Sequence, residues 1–169
     1  STRCQALQQK LGYVPKGVGI VVFNKYSFKG VTANVVLSVK ENHKHKSYPN
    51  QYSVIGGKTD NDCVVMAAVR ELHEETGIRF AVRQFLDIVS DKNGNIRYYK
   101  QNTTVIFVAN VTKRGWTRSN INSLIKTNHQ NPNLGHSFKE TVCVEWIDIS
   151  TLNTVDGNTV NTSIYLRNV

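Results

Sequence analysis

The sequence predicts an α/β fold built around a mixed β-sheet, and three features carry that expectation. β-branched, alternating segments recur along the chain, one stretch switches to a helical period, and no repeat or Pro/Gly linker interrupts their succession. With 169 residues the chain suits one domain, residues 1–169, with room for a sizeable core. Its 40% hydrophobic and 20% charged residues, with 11 Gly and 3 Pro, exclude collagen-like, Pro-rich and wholly disordered chains.

Gly17 to Asn24 and Ala33 to Lys40 carry β-branched, alternating residues on either side of a polar, Gly-containing stretch, which predicts two strands and a loop. A basic loop follows, with His43, Lys44, His45 and Lys46 close together and Pro49 closing it before a short apolar piece, Tyr52 to Ile55. From Cys63 to Thr76 the apolar residues Val65, Ala68, Val69 and Leu72 recur at helical spacing, with Asp60 or Asp62 at the start and Gly77 just past the end. Phe80 to Val89 and Tyr98 to Val111 read as strands joined by a hairpin at Asn93-Gly94. Arg118 to Thr127 reads as a helix and Asn128 to Gly135 as a loop. Thr141 to Ile149 reads as a strand with Val142, Val144 and Trp146 on one face.

The 21 Lys and Arg against 12 Asp and Glu give a net charge of +9, so the average field attracts polyanions such as RNA, nucleotides or inositol phosphates. The longest apolar run, Val18 to Phe23, is far short of the ~20 residues a membrane span needs, and no membrane partner is expected. Cys4, Cys63 and Cys143, odd in number and far apart, suggest neither a disulfide framework nor a zinc site, which favours an intracellular, cytoplasmic setting. Asn102, Asn110 and Asn161 open glycosylation triplets, read here as chance matches; a secreted enzyme is the alternative they support.

The segment Gly56 to Ile78 is where chemistry concentrates. Glu71, Glu74 and Glu75 stand at i, i+3 and i+4, so all three carboxylates project from one helical turn and repel one another. A cluster of that kind suits a hard divalent cation, Mg2+ or Mn2+, held by oxygen ligands and bridging to substrate phosphates. Gly56 and Gly57 allow close backbone approach and offer carbonyl oxygens as further metal ligands. Arg70, beside Glu71 and four residues before Glu74, is placed to orient the carboxylates.

These residues resemble the Nudix box, G-x5-E-x7-R-E-U-x-E-E-x-G-U with U aliphatic. Gly56, Arg70, Glu71, Leu72, Glu74, Glu75, Gly77 and Ile78 match it, and Asp62 replaces the box's first glutamate. A chance match of the six fixed letters is on the order of one in ten million per start position. A further departure is Ile55, where relatives commonly carry Pro.

The resemblance implies a single Nudix hydrolase domain with an α/β/α sandwich, cleaving a pyrophosphate bond in a nucleoside diphosphate linked to a group X. It implies that Glu71, Glu74 and Glu75 bind magnesium or manganese, that Arg70 supports them, and that an acidic residue from outside the box, Glu140 in preference to Glu145, is a ligand or general base. Lys58, Lys44 and Lys46 are expected along the phosphate path, and Tyr52 and Tyr99 against a base or cap. The charge points to an RNA 5′ end, capped or triphosphorylated, as substrate. The alternatives are a small-molecule pyrophosphatase and a non-catalytic RNA-binding module.

Overall fold

The computed structural model describes residues 2–28, 31–41 and 52–148. Lys44, Lys46, His43 and His45 lie outside these residues, as does Asn161. The described elements follow the order α1 (Thr2–Leu11), β1 (Gly17–Phe28), β2 (Val31–Glu41), β3 (Tyr52–Ser53), β4 (Ile55–Lys58), α2 (Val64–Thr76) and α3 (Val82–Val89). Then come β5 (Tyr98–Gln101), β6 (Thr104–Asn110), α4 (Arg118–Gln130), a 3-10 turn (His136–Phe138) and β7 (Thr141–Asp148).

The seven described strands form one mixed sheet of the expected α/β Nudix type, in the order β3-β2-β1-β6-β5, with β4 added to β1 and β7 to β2. β1 runs parallel to β6 and antiparallel to β2 and β4. Its first residues pair with β4 (Gly17↔Lys58 to Ile20↔Ile55), and from Val22 onward it pairs with β2. The sheet therefore forks beside Val54, between β3 and β4.

Period-two alternation sorts β1 between two apolar clusters. Val18, Ile20 and Val22 join Phe107 of β6 and the buried faces of α1 to α4, while Val21 joins Val36, Val54 and Ile106 on the opposite face. Phe85 of α3 meets Phe107 edge-to-face at 5.4 Å, one of the contacts that pin the helices to the sheet.

Several sequence expectations need correction. Phe80 to Val89 is not a strand: Val82, Phe85, Leu86 and Val89 follow helical spacing, and that periodicity outweighs the β-branched composition in α3. The Asn93-Gly94 turn exists, with Asp91 Oδ1 accepting the Asn93 and Asn95 N–H groups, but it links α3 to β5 through a single bridge, Ser90↔Ile96. The hairpin lies further on, because Asn102, at φ 55°, breaks Tyr98 to Val111 into β5 and β6.

α4 continues through Gln130, capped at its start by Thr117 Oγ1, so the expected loop begins later. In β7, Val144 is buried and Trp146 packs on the core, but Val142 is 51% exposed; the register shifts at Lys40/Glu41 and turns it outward.

The helix Thr2–Leu11 had no sequence signal strong enough to announce it, and it brings Cys4 to Cys63, 6.3 Å apart at their α-carbons, as a disulfide. That pairing corrects the expectation of unpaired cysteines and removes its argument for a reducing compartment. Among the described residues no helix is long and apolar enough to cross a membrane.

Candidate active site

The site forms where α2 meets β4. Val65, Ala68 and Leu72 bury one stripe of α2 in the core, and Gly77, at φ 81°, ends the helix with its N–H bonded to the His73 carbonyl. The helix start differs from expectation: Cys63 occupies the N-cap without a side-chain bond, and Asp62 turns to Arg70 instead.

Neither glycine of β4 leaves open space: Gly57 admits a helix carboxylate and Gly56 the backbone of β1. A β-carbon at Gly57 would lie 2.5 Å from Glu71 Oε1. At Gly56 it would run into the Val18 carbonyl of β1, and the Gly56 N–H donates to Glu75 Oε2 at 2.8 Å. Glu75 is 2% exposed, so this hydrogen bond is made by a buried carboxylate.

Arg70 ties the loop before α2 to the cluster. Its Nη1 donates to Asp62 Oδ2 at 2.9 Å and its Nη2 to the Lys58 carbonyl at 2.8 Å, with Glu71 Oε1 3.8 Å away. Asp62 thus supplies an acidic partner to the arginine from the position of the box's first glutamate. The loop takes Asp60 and Asn61 into left-handed conformations, at φ 52° and 65°, costing on the order of 1 kcal/mol each. Thr59 offsets this by donating Oγ1 to the Pro15 carbonyl at 2.7 Å in a buried position.

A cavity of about 670 Å³ opens against this wall, a size that suits a nucleotide-like ligand. Glu71, Glu74, Arg70, Gly56, Gly57 and Lys58 line it. Glu140 and Ser137 line it as well, and His136 Nε2 lies 3.6 Å from Glu140 Oε1, an ion pair when the imidazole is protonated. His73 meets Phe138 edge-on at 5.0 Å and so fixes this turn to α2. Burial first, and the Arg79 cation second, hold the His73 imidazole below its ordinary pKa. Glu145 instead accepts from Arg118 Nε at 2.7 Å.

The remaining expected residues sit elsewhere. Tyr52 and Tyr99 pack against the Val21, Val36, Val54 and Ile106 cluster rather than lining the cavity. Burial raises the pKa of both phenols, and for Tyr52 the nearby Cys143 and Glu145 add to it while Arg118 opposes it. Lys16, Thr103 and Thr104 line the cavity without having been anticipated, since only the β1–β4 and β1–β6 registers bring them there.

The donor set fits a hard divalent ion: Glu71, Glu74 and Glu140 present only oxygen to the cavity, and Gly57 leaves no side chain between Glu71 and β4. Among the described residues no three acidic, His or Cys side chains stand close enough to hold an ion as they lie. Glu75 is turned to the Gly56 N–H and Glu71 toward Gly57, so the carboxylates are spread along the wall.

A family model described as NUDIX domain matches residues 14–158. No curated protein matches the sequence. Among solved structures, a MutT protein from Methanosarcina mazei Go1 is similar at 16% identity and TM-score 0.47, covering 91% of this chain and 88% of that one. A C. elegans Ap4A hydrolase binary complex gives 18% and 0.44, covering 83% and 84%. A T. brucei MERS1-RNA complex gives 14% and 0.46, covering 96% of this chain and 61% of that one. With the family model spanning most of its length, the chain belongs to the NUDIX domain family and is a pyrophosphohydrolase in class.

Proposed function

We propose that the protein, as one domain over residues 1–169, hydrolyses a pyrophosphate bond in a nucleoside-diphosphate-X substrate with Mg2+ or Mn2+, and that an RNA 5′ end is the preferred X. The observation that carries the chemistry is that Glu71, Glu74 and Glu140 line one cavity. In this reading Glu71, Glu74 and the second oxygen of Glu75 hold the ion, with the Gly56 or Gly57 carbonyl beside them. When bound, the ion neutralises charge developing on the phosphate oxygens.

Arg70 keeps Glu71 and the Lys58 backbone in place through its bonds to both sides of the loop. Glu140 accepts the proton of the attacking water, with His136 next to it to share the charge. Lys58 contacts substrate phosphate, and Lys44 and Lys46, outside the described residues, are further candidates for that contact. Tyr52 and Tyr99, packed against the Val21, Val36, Val54 and Ile106 cluster, are the aromatic candidates for a base or cap. The net charge of +9 supports a long polyanion over a small one.

The cavity's volume favours a second reading, a small-molecule pyrophosphatase acting on a nucleotide sugar, dinucleoside polyphosphate, dNTP or diphosphoinositol polyphosphate. A panel of these against capped and triphosphorylated RNA, over a range of salt, separates the two. Preference for RNA with steep loss of activity at high salt is expected. A salt-insensitive preference for the small substrates overturns the RNA reading.

A further inference from the structure

The cavity has a basic end that the box does not account for. Gly17 lies at its centre: Lys58 of β4 is its register partner on one side, Thr104 of β6 on the other, and Lys16 precedes it. The Thr104 hydroxyl leans over Gly17, where a β-carbon would stand 2.6 Å from Oγ1. Lys16, Lys58, Thr103 and Thr104 all line the same cavity as Glu71 and Glu74.

The backbone of both lysines is fixed while their side chains are exposed. Lys16 donates its N–H to the Thr103 carbonyl at 3.0 Å and accepts from the Thr59 N–H at 3.0 Å. The Lys58 carbonyl accepts from Arg70 at 2.8 Å. The ion pairs among the described residues use Arg70, Arg118 and His136 as cations and neither lysine. Lys58 also follows Gly57, where an added β-carbon would meet the Glu71 carboxylate. Lys16 and Lys58 therefore bring two cations to the cavity that the carboxylate wall also lines.

We propose that Lys16 and Lys58, with the Thr103 and Thr104 hydroxyls, form a subsite for a phosphate beyond the bond that is cleaved. The substrate class this selects is a chain of three or more phosphates, as in a 5′-triphosphate, over a diphosphate joined directly to a sugar. The assignment rests on the pyrophosphohydrolase reading of the same cavity and names what its other end contributes. Ammonium groups suit this task because each acts as a compact point charge with rotatable donors, able to follow a terminal phosphate.

The test compares the unaltered protein with its Lys16→Ala/Thr104→Val double variant, which leaves Lys58 in place. With Mg2+, kcat/KM is measured for a nucleoside 5′-triphosphate and for a nucleoside-diphosphate sugar of the same base. A loss of about tenfold or more on the triphosphate, against under about threefold on the sugar, is expected from one displaced phosphate contact. Equal losses on both substrates, or no loss on either, overturn the subsite.

If the unaltered protein hydrolyses neither compound, nor capped or triphosphorylated RNA, the functional reading fails, and calorimetric binding of inorganic tripolyphosphate and pyrophosphate decides the subsite by itself. A preference for tripolyphosphate that disappears in the double variant supports it; equal binding of the two anions, or a preference that survives, overturns it.

Discussion

The two ends of the cavity hold their charges by different means. Along α2 and β4 the carboxylates are packed into the fold: Glu75 is buried on the Gly56 N–H, Glu71 lies on Gly57, and Arg70 braces the loop. At the β1–β6 end the lysine backbone is anchored and the lysine side chains are exposed. The difference teaches that changes at the first end should disturb both fold and chemistry, while changes at the second should alter substrate choice and leave stability alone.

The largest effect is expected at the first end. Glu75→Gln keeps an acceptor for the Gly56 N–H but removes a negative oxygen, and should lower Mg2+-dependent hydrolysis by about two orders of magnitude. Circular dichroism checks that the variant is folded, and activity above about a tenth of the original would contradict the role. Gly57→Ala comes next, since its methyl must displace the Glu71 carboxylate. Both Tm and kcat should fall, by several degrees and about tenfold, for a substitution that overpacks a contact.

Asp62→Asn should cost a few-fold in kcat and less than about 1 kcal/mol in denaturant-measured stability, because its bond to Arg70 is exposed. The smallest change is expected for Lys16→Ala, whose unfolding free energy should stay within about 0.5 kcal/mol of the original. A larger loss would mean that the basic end is built into the fold, and the contrast between the two ends would collapse.

How much of this was legible depended on whether the signal was local. The box's spacing made α2, Arg70 and the three glutamates readable, because one helix brings them together by its own period. The burial of Glu75 was not readable, since it arises from β4 lying across the helix face. Phe80 to Val89 was misread because Phe, Ile and Val favour strands, whereas tertiary packing of Phe85 on Phe107 rewards the helical spacing those residues also satisfy. Lys16 and Thr104 had no local signal at all; the parallel pairing of β1 with β6 joins residues far apart in the chain. The Cys4–Cys63 pair, separated by 59 residues, escaped for the same reason.

The claim on which the account turns is that the α2 carboxylates and the β4 glycines hold a divalent ion against a diphosphate. Anomalous diffraction from crystals soaked in Mn2+ with a non-hydrolysable diphosphate analogue tests it most directly. The expected result is a peak within about 2.2 Å of Glu71 and Glu74 oxygens, next to the Gly56-Gly57 backbone and in contact with the diphosphate. A diphosphate bound in the cavity with manganese elsewhere, and with Glu71 and Glu74 turned away from it, would contradict the account.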